Sequence, residues 1–203
     1  MQVFALFTLI FSILILQGCT TKGEAVASCP DLSELKNAAT QGDIHAQVTL
    51  GEMYSNGLCM ERNLAEAREW FGEAAPDGGP LPKYALANMY HDGAGGPKDD
   101  QKAVEWYEKA GQQGLSDGFV ALASMYGSGD GVEIDPALAK KYADLAVSTN
   151  DSVMKFFAAQ MYETGHGAML NLKQARKWYK ESCMKGFAPS CKKFNQLNNK
   201  MSS

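Results

Sequence analysis

The sequence has little positive charge relative to its negative charge. Its 203 residues include 19 Lys and Arg against 23 Asp and Glu, a formal net charge of −4 at pH 7, with a sequence pI of about 5.4. This balance lacks the basic footprint that nucleic-acid-binding proteins carry, so no nucleic-acid partner is expected. The hydrophobic content of 45% is instead typical of a packed domain.

Complete motifs for catalysis and cofactor binding are also missing. The chain has no His-Glu-x-x-His or Gly-x-x-x-x-Gly-Lys sequence. Gly-x-Ser-x-Gly occurs once, at residues 114–118, but no predicted strand precedes it, as the nucleophile elbow of serine hydrolases requires. The three histidines are scattered and the chain has no Cys-x-x-Cys pair, which leaves no metal set. Ser-x-x-Lys begins at Ser33, Ser152, Ser182 and Ser190, but serine enzymes of that type also need Lys-Thr-Gly on a neighbouring strand. We therefore predict no catalytic residue, no metal site and no cofactor.

The one long apolar run lies at the N-terminus and is too short to span a bilayer. Residues 2–18 carry no charged side chain, and the run 3–16 is nearly all apolar, whereas a spanning helix needs about 20 such residues. The run ends in Leu16-Gln17-Gly18-Cys19, which resembles a bacterial lipobox. The n-region has no Lys or Arg and Gln17 replaces the usual small residue, so an ordinary signal peptide or a single anchor helix remains an alternative.

The lipobox resemblance implies how the N-terminus is processed. Residues 1–18 would be a lipoprotein-type signal peptide, Cys19 would receive diacylglycerol, and 19–30 would be a tether. Thr20 follows the cysteine instead of Asp, which in enterobacterial-type lipoproteins implies the outer membrane. The implied location is the bacterial cell envelope, as an outer-membrane lipoprotein facing the periplasm. An acylated cysteine attaches a protein to a membrane without crossing it.

The rest of the chain is dominated by a repeat. Met-Tyr-x-x-Gly begins at residues 53, 89, 125 and 161, a step of 36 each time. Two other columns in this register are Ala67, Ala103, Ala139, Ala175 and Trp70, Trp106, Tyr142, Trp178. A fixed period of this length indicates a repeat array.

Apolar spacing predicts two antiparallel helices in each repeat. In the first repeat, Ala46, Leu50 and Met53 form one helical stripe, which predicts a helix over 43–55 and a second over 63–75. The later repeats predict helices at 82–91, 99–112, 116–127, 135–148, 151–163 and 171–184. Half-repeats at 31–41 and 187–203 would cap the array, because its end units would otherwise expose apolar faces. The last helix is expected to end near residue 198.

The predicted fold is therefore all-α: an α/α superhelical solenoid of four 36-residue helix-turn-helix repeats with half-repeat caps at both ends. The pattern Ala-x-x-Leu-(Gly/Ala)-x-Met-Tyr-x-x-Gly, followed by Ala-x-x-Trp-(Tyr/Phe)-x-x-Ala, resembles the SEL-one-like repeat, a relative of the tetratricopeptide repeat. The resemblance covers residues 42–186 in four copies. It implies a right-handed superhelix that binds other proteins or peptides.

Four cysteines remain once Cys19 is assigned to the lipid. An even number in an exported chain favours disulfides, with three possible pairings. Cys183 and Cys191 flank the turn into the last helix, which would bring their Cα atoms near bonding distance. Cys29 and Cys59 precede two neighbouring helices that run in the same direction. We predict Cys29–Cys59 and Cys183–Cys191, with buried free thiols as the alternative. The eight-residue spacing also occurs in a cysteine-rich branch of the SEL-one-like family.

In related superhelices the first helix of each repeat lines the concave wall. Columns on that helix that vary against the fixed frame are expected to bind a partner. The predicted partner-binding residues are Gln47, Glu52, Lys83, Tyr84, Asn88, His91, Phe119, Ser124, Lys155 and Gln160. Phe119 is the one apolar member of a polar column and is the expected anchor; the alternative is that it packs on the next helix.

The function that fits these features is a non-enzymatic periplasmic module, tethered to a membrane through its N-terminal lipid, that binds a partner protein of unknown identity. Exported proteins of the resembled family act as envelope scaffolds, as regulators of sensor proteins and as immunity proteins against a secreted phospholipase effector. Two alternatives remain. Cysteine-rich members have been described as β-lactamase-like, which leaves a penicillin-interacting hydrolase, and the other is a peptidoglycan-associated structural lipoprotein.

Overall fold

The computed structural model describes residues 29–148, 151–165 and 170–202. The predicted signal peptide, Cys19 and most of the tether lie outside these residues. The chain divides into two compact units, Met1–Leu32 and Ser33–Ser203. Of the first unit only residues 29–32 are described, and the second contains the predicted repeat array.

Ten helices and no strand occur in the described part of the chain. They are α1 (Leu32–Thr40), α2 (Ile44–Asn56), α3 (Leu64–Ala74), α4 (Pro80–Asp92), α5 (Asp100–Gln112), α6 (Ser116–Ser128), α7 (Pro136–Ser148), α8 (Ser152–Thr164), α9 (Leu172–Met184) and α10 (Ala188–Ser202). We refer to α2, α4, α6 and α8 as the A helices and to α3, α5, α7 and α9 as the B helices. The predicted all-α repeat fold is confirmed.

The recurring Met-Tyr-x-x-Gly motif is the C-terminus of each A helix. Gly57 adopts φ 70°, in the left-handed region, and its backbone N–H donates to the Met53 carbonyl oxygen. Gly93, Gly129 and Gly165 do the same with Met89, Met125 and Met161. Glycine adopts this conformation without steric penalty, so the motif ends all four A helices in the same way.

Side-chain caps begin most of the helices. An Asp or Asn oxygen accepts from a backbone N–H of the first turn at Asp43, Asn63, Asp99, Asp135, Asp151 and Asn171. Such caps satisfy donors that have no partner within the helix. Apart from the end of α10, the helix bounds fall within about two residues of those expected from the sequence, the usual uncertainty of helix ends.

The conserved columns of the repeat form the core. Leu50, Leu86 and Leu122 are fully or almost fully buried, and the alanines of the Ala67 column are completely buried. These small side chains let each A helix approach its B helix closely. The motif tyrosines are half-buried, except for Tyr162, which is buried. The residues that recur with the 36-residue period are therefore the ones that pack the helices together.

The C-terminal end differs from the expectation in one respect. Helix α10 continues to Ser202, although the sequence predicted an end near residue 198. Leu197 is buried in a cluster with Tyr162 and Tyr179, and the Asn198 carboxamide oxygen accepts a hydrogen bond from Arg176 Nε. These contacts hold the last turns of α10 against α9.

The four cysteines outside the N-terminal segment are all oxidised. Cys183 and Cys191 form a disulfide with a Cα–Cα distance of 4.7 Å, across the turn between α9 and α10. Cys29 and Cys59 are also disulfide-bonded; their pairing with each other stays a prediction. Cys59 has φ 59° and is the one described non-glycine residue with positive φ, a conformation that costs an L-residue roughly 1–2 kcal/mol.

Candidate functional site

The first of the predicted partner-binding columns is not on the surface. Gln47, Lys83, Phe119 and Lys155 are only 6%, 3%, 8% and 6% exposed. Their placement on an accessible A-helix wall was therefore wrong. They lie near the start of each A helix, where it packs on neighbouring elements.

The three polar members of this column are buried because each reaches a hydrogen-bond acceptor. Gln47 Nε2 donates to the Ala39 carbonyl oxygen at 3.1 Å, and Lys83 Nζ donates to the Gly78 carbonyl oxygen. Lys155 Nζ donates to Glu181 Oε2 at 2.7 Å. Burial lowers the pKa of Lys83, while the nearby Asp77 opposes that shift. These contacts satisfy groups that would be costly to bury alone and connect each A helix to a neighbouring segment.

Phe119 packs between helices and does not serve as an exposed anchor. A Cβ atom added at Gly111 would lie 2.6 Å from the Phe119 ring, so the ring covers a glycine of α5. Its other side stacks on Tyr142, with ring centroids 6.1 Å apart. Phe119 thus joins α6 to the helices on both sides of it, which is the alternative left open by the sequence.

Tyr84, Asn88 and His91 of α4 are half-buried and already engaged. The Tyr107 hydroxyl donates to Asn88 Oδ1 at 2.6 Å, and the Tyr84 and Tyr107 rings lie 5.6 Å apart. Burial raises the pKa of Tyr84, helped by the charge of Asp117. His91 Nδ1 lies 2.7 Å from Asp100 Oδ1 and its Nε2 lies 3.4 Å from Asp130 Oδ2, which links the second repeat to the third.

Two adjacent columns form an accessible strip along the A helices. One contains the remaining predicted residues, of which Glu52 and Ser124 are exposed while Asn88 and Gln160 are half-exposed. The other lies three residues earlier, about one helical turn. We define the A-helix strip as these eight residues: Thr49, Glu52, Ala85, Asn88, Ala121, Ser124, Phe157 and Gln160.

Phe157 is the residue that sequence reasoning missed. It is 41% exposed, and its ring meets Phe156 edge-on with centroids 5.8 Å apart. The signal was present in the repeat, because its column is otherwise Thr49, Ala85 and Ala121. An exposed aromatic at the end of a column of small residues can enter a pocket on a partner, as interface anchors do.

Tyrosine–carboxylate hydrogen bonds fix the B helices behind this strip. The hydroxyls of Tyr142, Tyr162 and Tyr179 donate to Glu108, Asp144 and Glu163 at 3.2, 3.0 and 2.7 Å. Burial and the nearby Glu108 raise the pKa of Tyr142 to about 12. Burial disfavours the charge on Glu163, yet hydrogen bonds from Tyr179 and Lys193 outweigh it and hold the Glu163 pKa below its usual value.

The serines of the Ser-x-x-Lys matches do not form a nucleophilic site. Ser182 and Ser190 are completely buried and their hydroxyl oxygens lie 2.6 Å apart. Ser182 also donates to the Ser152 carbonyl oxygen, and Lys193 is paired with Glu163 at 3.0 Å. In the match that begins at Ser152, Lys155 is paired with Glu181. Ser33 is exposed near the start of α1, and the described residues place no strand beside it. In this geometry none of these serines is activated as the nucleophile of a Ser-x-x-Lys hydrolase.

The described residues contain neither a candidate metal site nor a candidate membrane-spanning helix. No group of three or more His, Cys, Asp or Glu in 29–148, 151–165 and 170–202 is placed to hold a metal ion. No helix in those ranges has the length and apolar character needed to cross a bilayer.

A groove of about 750 Å³ beside α3 contains Arg68 and Trp70. Arg68 is occupied there, since it donates to the Pro97 carbonyl oxygen and lies over the Tyr90 ring.

Comparison with known proteins identifies the repeat. The family model described as Sel1 repeat matches residues 44–76, 83–115, 120–148 and 154–187. The structure is similar to c5321, a protective antigen of uropathogenic Escherichia coli strains with an SLR fold, at TM-score 0.71 and 32% identity over 83% of this chain and 36% of that one. It is also similar to a Sel1 repeat protein from Oxalobacter formigenes, at TM-score 0.69 and 28% identity over 79% of this chain and 66% of that one.

The chain thus spans about a third of the first of those proteins and just under two thirds of the second. No curated protein matches it. Sel1 repeats are in general protein-interaction modules and not catalytic domains. With four matched repeats over most of its length, the chain belongs to the Sel1 repeat family.

Proposed function

We propose that this Sel1 repeat protein is a non-enzymatic module of the bacterial cell envelope that holds a partner protein on its A-helix strip. An acylated Cys19 would keep it on the periplasmic side of the outer membrane. An envelope scaffold, a regulator, or an immunity protein against a secreted phospholipase effector would each use such a strip. The observation that carries the proposal is the exposed Phe157 at one end of a column of small residues.

The chemistry of the strip supports binding of a polypeptide. Thr49, Ala85 and Ala121 are small and half-exposed, so a partner backbone can approach the A helices closely. The adjoining column offers a carboxylate at Glu52, a hydroxyl at Ser124 and a carboxamide at Gln160 for hydrogen bonding. The disulfide and the tyrosine–carboxylate bonds behind the strip keep it preformed, which reduces the ordering cost of binding.

A capture experiment with a matched control tests this surface. The tagged chain is incubated with envelope extract, and retained proteins are identified for wild type, Phe157→Asp and Ile134→Asp. Ile134 is 59% exposed but lies between α6 and α7, outside the strip. We expect Phe157→Asp to lose the partner that wild type and Ile134→Asp retain. Equal capture by all three, with equal helicity by circular dichroism, would contradict the placement of the binding surface.

Three further readouts separate the proposal from its alternatives. Cys19→Ser should abolish labelling by radioactive palmitate and release the protein from the membrane fraction. Retention on isolated sacculi in place of a protein partner would favour the peptidoglycan-associated alternative. Turnover of a chromogenic cephalosporin that is lost in Ser33→Ala would favour the hydrolase.

A further inference from the structure

Charge is strongly segregated along this chain. Residues 170–203 contain eight of the 19 Lys and Arg side chains and only one of the 23 Asp and Glu side chains. That single acid, Glu181, is bonded to Lys155 at 2.7 Å. The C-terminal end of the array is therefore basic, although the whole chain has a net charge of −4. A count along the sequence would have revealed this feature, but an average over the chain hides it.

The cations gather on the outer face of α9. Its exposed residues are Lys173, Arg176, Lys177, Lys180 and Met184, a spacing that places them on one side of a helix. We call these five residues the basic face. Within the described part of the chain, none of the four cations takes part in a salt bridge.

The face also has an apolar end. Met184 is 76% exposed, more than the other exposed large hydrophobic side chains of the described residues. Between the cations and α10 lies a groove of about 570 Å³ that reaches Phe194. Cations around an exposed, flexible apolar side chain are the combination found in segments that lie in the interface of a bilayer.

We propose that the basic face docks on the surface of an anionic phospholipid bilayer, with Met184 entering the interfacial region. Lysines predominate at this end of the chain, with seven Lys and one Arg in residues 170–203. Lysine is a flexible point charge that suits diffuse attraction to a charged surface. Protein interfaces are instead depleted in lysine and enriched in arginine and aromatic residues, which argues against a protein as the occupant of this face.

This docking would not use the A-helix strip, because the basic face belongs to a B helix. It also needs no acyl chain, so it is independent of Cys19. It would give the protein a second membrane contact at the C-terminal end of the array. Stable membrane anchoring often combines a lipid with a basic patch in this way.

Vesicle co-sedimentation tests the proposal. The chain from Cys29 to Ser203 is used, because it contains every described helix and lacks the apolar N-terminal segment, which would itself enter a bilayer. We expect it to bind vesicles of phosphatidylcholine with 30% phosphatidylglycerol and not vesicles of phosphatidylcholine alone. Binding should disappear in 1 M salt, where the screening length falls to about 3 Å.

Matched triple variants test whether the basic face is responsible. Each cation near an anionic surface contributes about 1 kcal/mol, roughly fivefold in partitioning, so Lys173→Gln/Lys177→Gln/Lys180→Gln should weaken binding by about 100-fold. The control, Lys102→Gln/Lys140→Gln/Lys141→Gln, removes the same charge from exposed lysines of α5 and α7 and should bind within a few-fold of wild type. Met184→Ser should weaken binding without altering its salt dependence.

Several results would overturn the proposal. These are equal binding to anionic and neutral vesicles, no binding to either, or an equal loss of binding in the two triple variants. Competition by polyglutamate or by DNA at concentrations below those of the anionic lipid would assign the face to an acidic polypeptide or a nucleic acid instead. Wild-type binding and its salt dependence decide the question even if a variant folds poorly.

Discussion

The packing of α5 against α6 yields a prediction in which the same substitution has opposite effects at two sites. Gly118 lies in α6 and Gly72 lies in α3, both with ordinary helical backbone. A Cβ atom at Gly118 would lie 2.4 Å from the Tyr107 carbonyl oxygen and 3.0 Å from the Gly111 nitrogen, whereas a Cβ atom at Gly72 would meet nothing within 4 Å. Gly118 is thus a point of close helix approach and Gly72 is not.

The magnitudes follow from two opposing effects. Replacing a helical glycine with alanine stabilises a helix by roughly 0.5–1 kcal/mol, and this gain applies at both sites. At Gly118 the new carbon must move by about 0.9 Å to reach an ordinary carbon–oxygen distance of about 3.3 Å. Overpacking of this kind costs about 1–3 kcal/mol, and here the obstacle is backbone, which cannot rotate away. Because the clash is with backbone, its cost should lie near the upper end of that range, about 3 kcal/mol. After the helix gain is subtracted, we expect Gly118→Ala to lower the free energy of unfolding by about 2 kcal/mol.

Thermal unfolding followed by circular dichroism measures this difference. For a chain of this size 1 kcal/mol shifts Tm by about 2–4 °C. Gly118→Ala should therefore lower Tm by about 4–8 °C, and Gly72→Ala should raise it by about 1–4 °C. If Gly118→Ala unfolds at or above the wild-type temperature, α5 and α6 are not in backbone contact and the inferred position of the A-helix strip is wrong as well.

Two further predictions concern the backbone strain at Cys59 and the stability of the protein at alkaline pH. Cys59→Gly removes the positive-φ strain that Cys59→Ala retains. The free energy of unfolding, measured in urea under reducing conditions, should therefore be about 1–2 kcal/mol higher for the glycine variant than for the alanine variant. Equal free energies of unfolding would mean that the strain is absent. The pKa of Tyr142 is raised from 10 to about 12, so the stabilising preference for its neutral form is complete below pH 10 and is lost as the pH rises to about 12. Urea midpoints measured from pH 9 to 12 should fall less steeply for Tyr142→Phe than for wild type, and parallel curves would contradict this assignment.

The sequence predicted the fold because each conserved column performs the same task in every repeat. The motif glycine ends an A helix by donating to the motif methionine, and Ala67 with its equivalents marks where two helices touch. Such tasks depend on residues close in sequence or on one fixed helix contact. They can therefore be inferred from period and residue type.

The accessible face of the A helices could not be inferred in the same way. A period of 36 aligns the columns, but it does not give the rotation of each A helix relative to its neighbours. Gln47, Lys83 and Lys155 were interpreted as surface residues because their column varies while the rest of the repeat stays fixed. Their side chains are long enough to bury the stem and bring the polar end to an acceptor. Burial of a polar residue depends on that acceptor, which the sequence does not identify.

Variation within one column therefore has two sources, a partner outside the chain and a neighbour inside it. The buried column Gln47, Lys83, Phe119, Lys155 lies eight residues after the column Ala39, Ala75, Gly111, Val147. Its one apolar member, Phe119, covers the one glycine of the earlier column, Gly111. We expect Gly111→Ala to be destabilising in wild type and much less so in a Phe119→Lys background, because Ala75 precedes Lys83 in the second repeat. A coupling energy of about 1 kcal/mol or more in this double-mutant cycle would show that the column varies to match its neighbour. A coupling near zero would return Phe119 and its column to consideration as a binding surface.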